Sequence, residues 1–229
     1  MISFITVNYK GDKWIKRLLD SIDATMSHLN YEILVVANSP TKLDYSEWAT
    51  VRFVDNSKTA VVGSEGHAEG LRKGWENLDN RCDTVIFVDQ DSAFVKKDWD
   101  KDLLKYLGNP FPIMGGPYED QAYGKSFIRP HFMILQRGVF NDMILYQKGL
   151  EPKIPLGDTG YLLTDHVVRA SGVIKVLPNS WNWEKHYPAI YKPGCTVYDM
   201  KKEPFVHHVG RGSLKPERFA EWEKFLDER

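Results

Sequence analysis

The chain has 229 residues, 42% of them hydrophobic and 13% aromatic, which supplies a buried core and excludes both a disordered chain and a disulfide-stapled miniprotein. Lys and Arg number 30 against 31 Asp and Glu, a formal net charge of −1, so bulk attraction to nucleic acid or an anionic membrane is excluded as the main mode of binding. Cys82 and Cys195 form no disulfide framework and have no metal-ligand spacing, which fits a reducing, cytoplasmic setting.

The opening Ile2-Ser3-Phe4-Ile5-Thr6-Val7 has no basic region before it and is too short for a signal peptide, so it reads as a buried first strand. No apolar run reaches the roughly 18 to 20 residues of a membrane helix, and a soluble protein without an integral membrane segment is expected. Trp14, Leu18, Ile22 and Met26 recur every four residues and predict a helix with one apolar face. Strands follow at Tyr31 to Val36 and Val51 to Val54, each ended by Asn, Ser or Asp. A second helix carries Ala68, Leu71, Trp75 and Leu78, and Thr84 to Val88 is a continuously apolar strand of the kind buried on both faces in a parallel sheet. Strands alternating with helices predict a doubly wound α/β sheet, with ligands beyond the carboxyl ends of its strands, around Asp89.

From Pro110 onward strands are expected at Pro112 to Gly116, His131 to Gln136 and Val173 to Leu177, with a helix at Asp158 to Ser171. The stretch from Pro178 to Pro204, rich in Pro, Trp and Tyr, reads as ordered but irregular. An amphipathic helix over about Pro216 to Glu228 closes the chain. With no repeat, low-complexity tract or linker, residues 1–229 read as one domain with two functional halves, about 1–109 and 110–229.

Chemistry concentrates first in Asp89-Gln90-Asp91, where two carboxylates at the end of a buried strand can converge on a hard divalent cation that would neutralise a diphosphate. A polar strand end, with Asp91 capping the next turn, is the structural alternative. Ahead of it, Gly66-His67-Ala68-Glu69-Gly70 places small residues at a helix start, where backbone can approach a ligand and the helix N-terminus favours anions.

These segments, taken with Thr6-Val7-Asn8-Tyr9 and Val35-Val36-Ala37-Asn38-Ser39, resemble the nucleotide-binding half of family 2 glycosyltransferases of the GT-A fold. The resemblance spans Ile2 to about Ser213. It implies a Rossmann-like central, mainly parallel sheet flanked by helices, with a smaller acceptor-side subregion. It also implies donor contacts from Thr6, Asn8, Asn38, Gly66, Gly70, Gln90 and Arg211, with Lys215 beside the last. His131-Phe132-Met133-Ile134-Leu135-Gln136-Arg137 is similar to the family's strand behind the acceptor site. Gly157-Asp158-Thr159-Gly160 is similar to its acidic helix start, which makes Asp158 the general base, although a helix cap explains it equally. His207-His208-Val209-Gly210 resembles the family's late histidine motif, so His208, or else His207, would join Asp89 and Asp91 on a cation, either Mn²⁺ or Mg²⁺. An imidazole favours Mn²⁺.

Two departures stand out. Ala37 occupies the place of the family's base-contacting acidic residue, leaving Asp55 or Asn56 to compensate, and Gly160 replaces a second acidic residue. Trp181 and Trp183 are the candidates to stack on an acceptor. The reading is a metal-dependent, inverting transferase moving a sugar from a nucleotide diphosphate sugar to a hydroxyl on a glycan, small molecule, protein or modified nucleic-acid base. The alternatives are a haloacid dehalogenase-type phosphatase with Asp89 as nucleophile, and a degenerate transferase acting as a binding module.

Overall fold

The computed structural model describes residues 1–58, 63–107, 113–120, 125–139, 173–210 and 217–228, together with Thr164, Arg169 and Lys215. The chain runs β1 (Ile2–Asn8), α1 (Asp12–Thr25), β2 (Tyr31–Ala37), β3 (Val51–Asp55), α2 (Gly63–Glu76), β4 (Thr84–Val88), β5 (Ser92–Phe94) and α3 (Trp99–Leu103). It continues with β6 (Ile113–Asp120), β7 (Lys125–Gln136), β8 (Ile174–Val176), β9 (Cys195–Tyr198), β10 (Pro204–His208) and the closing helix α4 (Arg218–Asp227). Among the described residues, seven strands form one sheet in the order β3-β2-β1-β4-β7-β6-β8, and β5-β10-β9 form a second, smaller one.

The strands β1 to β4 are mutually parallel, and β7 joins antiparallel to β4. The central strands β1, β2 and β4 are buried on both faces, and alternation along each strand divides the sheet's apolar residues between two clusters. Phe4, Ile33, Val35, Ile86 and Ile134 meet Ile15, Leu18, Leu19 and Ile22 of α1, together with Trp99 and Phe205. Ile5, Val7, Leu34, Val36, Val85, Phe87 and Met133 face the other way, onto Ala68 and Leu71 of α2. Helix α2 lies close to the sheet because a side chain is missing where it crosses β1. A Cβ on Gly70 would stand 2.8 Å from the Val7 methyls, and one on Gly74 would stand 2.4 Å from Ile5 Cγ2. Gly70, expected to let backbone approach a ligand, thus lies against the sheet, where its small size serves packing.

Several expectations shift. Leu78 lies beyond the end of α2, yet remains buried. The chain after Asp91 enters strand β5 rather than a helix. The stretch from Pro178 to Pro204 is largely turns but contains β9, and residues 204–208 form β10. The expected helix over Asp158 to Ser171 lies outside the described residues except at Thr164 and Arg169.

The small sheet is fastened to the rest by charge and by aromatic packing. Lys96 Nζ, just after β5, contacts Asp199 at the end of β9, Asp102 at 3.2 Å and Glu203 at 2.6 Å. Burial works against this ammonium, but the three carboxylates hold its pKa well above the usual lysine range. Phe94 of β5 and Phe205 of β10 stack on Trp99 of α3 at ring distances of 4.6 and 5.9 Å.

Candidate active site

The central feature lies where the two sheets meet. Strand β4 emerges at Asp89, the chain turns through a Ser92 N–H to Asp89 carbonyl bond of 3.1 Å, and β5 begins. Strand β10 pairs antiparallel with β5, setting His208 opposite Ser92, and the Val209 amide donates to the Asp91 carbonyl at 3.0 Å. This ladder carries a residue from near the end of the chain to the acidic pair. His208 Nε2 stands 3.1 Å from Asp91 Oδ1 and 3.3 Å from Asp89 Oδ2. One ligand atom from each of the three residues lies within 4.8 Å of the others.

Because successive strand residues point to opposite faces, His207 cannot share this position. Its Nδ1 lies 2.8 Å from Thr196 Oγ1, and its ring fits against Gly194, where a Cβ would come within 2.5 Å of Nε2. The structure therefore brings His208, and not His207, to the carboxylates.

Two further histidines complete the surroundings, and sequence reasoning assigned neither to the site. His67, in the first turns of α2, places Nε2 3.3 Å from Asp89 Oδ1, so each oxygen of that carboxylate faces an imidazole. The signal in the sequence is the imidazole within Gly66-His67-Ala68, at the start of a helix whose glycines let it approach the sheet. His131 of β7 stacks on His208 at 5.2 Å with an interplanar angle of 16°, and Trp181 lies 5.3 Å from His131 and 5.8 Å from His208.

The electrostatics follow from this geometry. Burial opposes ionisation of Asp89, but its hydrogen bond to His208 and the nearby imidazoles hold its pKa well below the usual carboxylate range. For His208 burial favours the neutral ring, and the carboxylates of Asp91 and Asp89 outweigh it, raising the pKa to about 10. For His131 the pull of Asp89 is too weak to compensate. Burial and the charge on His208 push its pKa down to about 3, and it is neutral.

On the donor side, the loop after β1 is held by three side chains from three different segments. Gln90 Oε1 accepts from the Tyr9 amide at 2.9 Å, Ser39 Oγ from the Lys10 amide at 2.8 Å, and Asn8 Oδ1 from the Gly11 amide at 3.1 Å. Asn8 also donates to Asp12 at 2.9 Å and to the Tyr45 hydroxyl at 3.2 Å. Asn38 donates to the Gly66 carbonyl at 2.7 Å and accepts from Asn56 at 2.9 Å. Asn8, Asn38 and Gln90 thus shape the walls of the crevice from within, and Thr6 is wholly buried in β1. The Asp55 carboxylate turns onto Ser57, accepting from its amide and hydroxyl at 2.9 and 2.7 Å.

On the opposite side, Trp181 is 40% exposed. It lines a cavity of about 460 Å³ with Ser180, Glu184, Ala189, Lys192, Pro193 and Gly194. Trp183 is half-buried and is not part of that lining. Asp158 and Arg211 lie outside the described residues.

A mainly parallel sheet whose central strand ends at an Asp-x-Asp tripeptide, with a histidine delivered from a second small sheet, is the layout of a GT-A glycosyltransferase fold. The sequence model described as "Glycosyl transferase family 2" matches residues 3–161, and the chain belongs to that family. Membership sets aside the phosphatase reading of Asp89. Among solved structures, glucosyl-3-phosphoglycerate synthase from Mycobacterium tuberculosis, in complex with Mn²⁺, UDP and glucosyl-3-phosphoglycerate, shares the fold at 17% identity and a TM-score of 0.50, covering 77% of this chain and 69% of that one. A mannosyltransferase from Pyrobaculum calidifontis, in complex with GDP-Man and Mn²⁺, is 16% identical with a TM-score of 0.48, covering 60% of this chain and 45% of that one. TarS from S. aureus is 16% identical with a TM-score of 0.43, covering 59% of this chain and 46% of that one. The chain therefore spans less than half the length of the last two. No curated protein matches it in sequence. Among the described residues, no helix is long and apolar enough to cross a membrane.

Proposed function

We propose that the protein is a divalent-cation-dependent, inverting glycosyltransferase that moves a sugar from a nucleotide diphosphate sugar to a hydroxyl acceptor. The observation that carries this reading is the convergence of Asp89, Asp91 and His208 at the carboxyl end of the central strands, in a chain of this family. The three residues fit a metal ion. Two carboxylate oxygens and an imidazole nitrogen within 4.8 Å of one another are a mixed oxygen and nitrogen donor set, which suits Mn²⁺ better than Mg²⁺. When bound there, such an ion would offset the charge that develops on the leaving diphosphate. The M. tuberculosis synthase and the Pyrobaculum mannosyltransferase, whose structures contain Mn²⁺ with a nucleotide or nucleotide sugar, are in keeping with this choice.

The chain's own residues supply the rest. His67 directs a ring nitrogen at Asp89 Oδ1, leaving Oδ2 turned toward His208 and the ion position. The neutral ring of His131 stacks on His208 and fixes its plane without adding a charge. The loop of Tyr9, Lys10 and Gly11, tied to the acidic segment through Gln90, receives the nucleoside, and Arg211, by its place in the family pattern, contacts the diphosphate. Trp181, beside His208 and open to the cavity, presents an aromatic face to the acceptor. Asp158, by its place in the family pattern, takes the proton from the attacking hydroxyl.

A thermal-shift screen of UDP-, GDP- and dTDP-sugars with Mn²⁺ tests the reading. A ligand at a hundred times its Kd stabilises by about 2.7 kcal/mol, which for a chain of 229 residues is a rise in Tm of roughly 5 to 10 °C. Absence of any shift, with no nucleoside diphosphate released on adding hydroxylated acceptors, would overturn it.

A further inference from the structure

Gln90 stands between the two acidic residues in sequence, yet its side chain does not join them. Its carboxamide forms a two-point bond with the main chain of Tyr9: Oε1 accepts from the Tyr9 amide at 2.9 Å, and Nε2 donates to the Tyr9 carbonyl at 3.2 Å. The contact reproduces, with a side chain, the pairing one strand makes with its neighbour, and it does so just beyond the ends of β1 and β4. Those two strands flank the place where the sheet order reverses, since β2 and β3 lie to one side of β1 and β4 to the other. In open α/β sheets ligands bind at that crevice.

The fit around the carboxamide is close. A Cβ on Gly11 would lie 2.6, 2.7 and 2.8 Å from Gln90 Oε1, Cδ and Nε2, so residue 11 must lack a side chain for the bond to form. Lys10, between the two, has φ of 52°, in the left-handed region that costs energy for a side-chain-bearing residue. Its amide is held by Ser39, as the Gly11 amide is by Asn8. A strained loop persists only where its surroundings fix it, and Gln90 is the one of the three clamps that belongs to the acidic segment.

We infer that Gln90 is a positioning residue that fixes the β1 loop relative to Asp89 and Asp91, so that the nucleoside-binding and cation-binding surfaces are held as one rigid unit. This rests on the proposed nucleotide-sugar chemistry for its functional consequence, though not for the clamp itself. The Gln90 side chain need not touch the donor to act. A shift of the loop relative to the acidic pair would separate the site of the nucleoside from that of its diphosphate, and misplacement of this kind is costly to binding and rate.

The experiment compares wild type, Gln90→Ala, Gly11→Ala and the double variant. Amide hydrogen exchange of the segment containing Tyr9 is measured first. It is expected to accelerate at least about tenfold in Gln90→Ala and in Gly11→Ala, with global unfolding unchanged. Binding of UDP and GDP in the presence of Mn²⁺, and of Mn²⁺ alone, is measured next. Each single variant is expected to bind the nucleotide about ten- to a hundredfold more weakly, while affinity for Mn²⁺ alone stays near the wild-type value, since Gln90 is not one of the three ligand residues. The double variant should be no worse than Gln90→Ala, because the added methyl then has nothing to displace. Wild-type exchange at Tyr9 in Gln90→Ala, wild-type nucleotide affinity in that variant, or fully additive losses in the double variant would each overturn the inference. Failure of wild type to bind either nucleotide counts against the proposed function instead, and the exchange result then decides the clamp.

Discussion

Replacing Asp91 with Asn probes the acidic site with the least change of shape. In the metal-free protein Asp91 Oδ1 lies 3.1 Å from His208 Nε2, an attraction of about 5 kcal/mol at an effective dielectric of about 20. The like charge of Asp89, whose ligand atom is no more than 4.8 Å away, opposes this with at least about 3.5 kcal/mol at the same dielectric. Removing the Asp91 charge is therefore expected to cost the metal-free protein at most about 2 kcal/mol at neutral pH, a loss that leaves an ordinary domain folded. The larger effect falls on the cation. Mn²⁺ at a hundred times the wild-type Kd stabilises wild type by about 2.7 kcal/mol, and if the substitution weakens binding a hundredfold the same concentration stabilises the variant by about 0.4 kcal/mol. Urea denaturation with EDTA and with MnCl₂, on both proteins, gives all four numbers. A folded Asp91→Asn protein that gains as much from Mn²⁺ as wild type does would refute the assignment of this carboxylate to the ion.

Asp158→Asn should remain folded and bind donor normally, since an amide can still cap a helix but cannot take a proton. Transfer should fall by about 10² to 10⁴, and near-normal turnover in a well-folded variant would leave the cap as its explanation. Gly74→Ala places a methyl 2.4 Å from Ile5 Cγ2, so the gain of about 1 kcal/mol in helix propensity is expected to be outweighed by about 1 to 3 kcal/mol of overpacking; a measured stabilisation would show that α2 can shift freely on the sheet. Asp100 is fully buried and accepts from the Ser27 amide and hydroxyl and the His28 amide, with His28 Nδ1 2.7 Å away. Burial raises its pKa, but these bonds prevail and hold it below its ordinary value of 3.8. A lowered folded-state pKa stabilises above the unfolded value and ceases to do so as pH falls through the folded one. Asp100→Asn should thus lose about 2 kcal/mol at pH 7, and the gap in urea midpoints should close below about pH 3.8; a gap independent of pH would argue against the ionised form as the acceptor.

The parts of the fold visible in the sequence are those with long or continuous apolar runs. Strands β1, β2 and β4 and helix α1 were legible because burial on both sheet faces, or on one helix face, leaves a dense pattern. The small sheet was not, because its strands have three, four and five residues and lie among Lys, Pro and Gly. That omission affects the site directly. The choice of His208 over His207 follows from strand alternation and from the pairing of His208 with Ser92, neither of which can be read without β5 and β10. His67 was obscured for a different reason: a half-exposed histidine on a helix has no pattern of its own until the sheet brings Asp89 beneath it. Gln90 is a donor-contact candidate in the sequence, but its partner in the fold, the Tyr9 backbone, lies 81 positions away and has no side-chain signature.

The ladder between β5 and β10 also sets the order in which the site is built during synthesis. About 120 residues separate Asp91 from His208, and at roughly 5 to 20 residues per second a ribosome needs on the order of ten seconds to add them. Until then His67, made before the acidic pair, is the imidazole at hand for Asp89, and the β5–β10 pairing that sets His208 beside Asp91 cannot form.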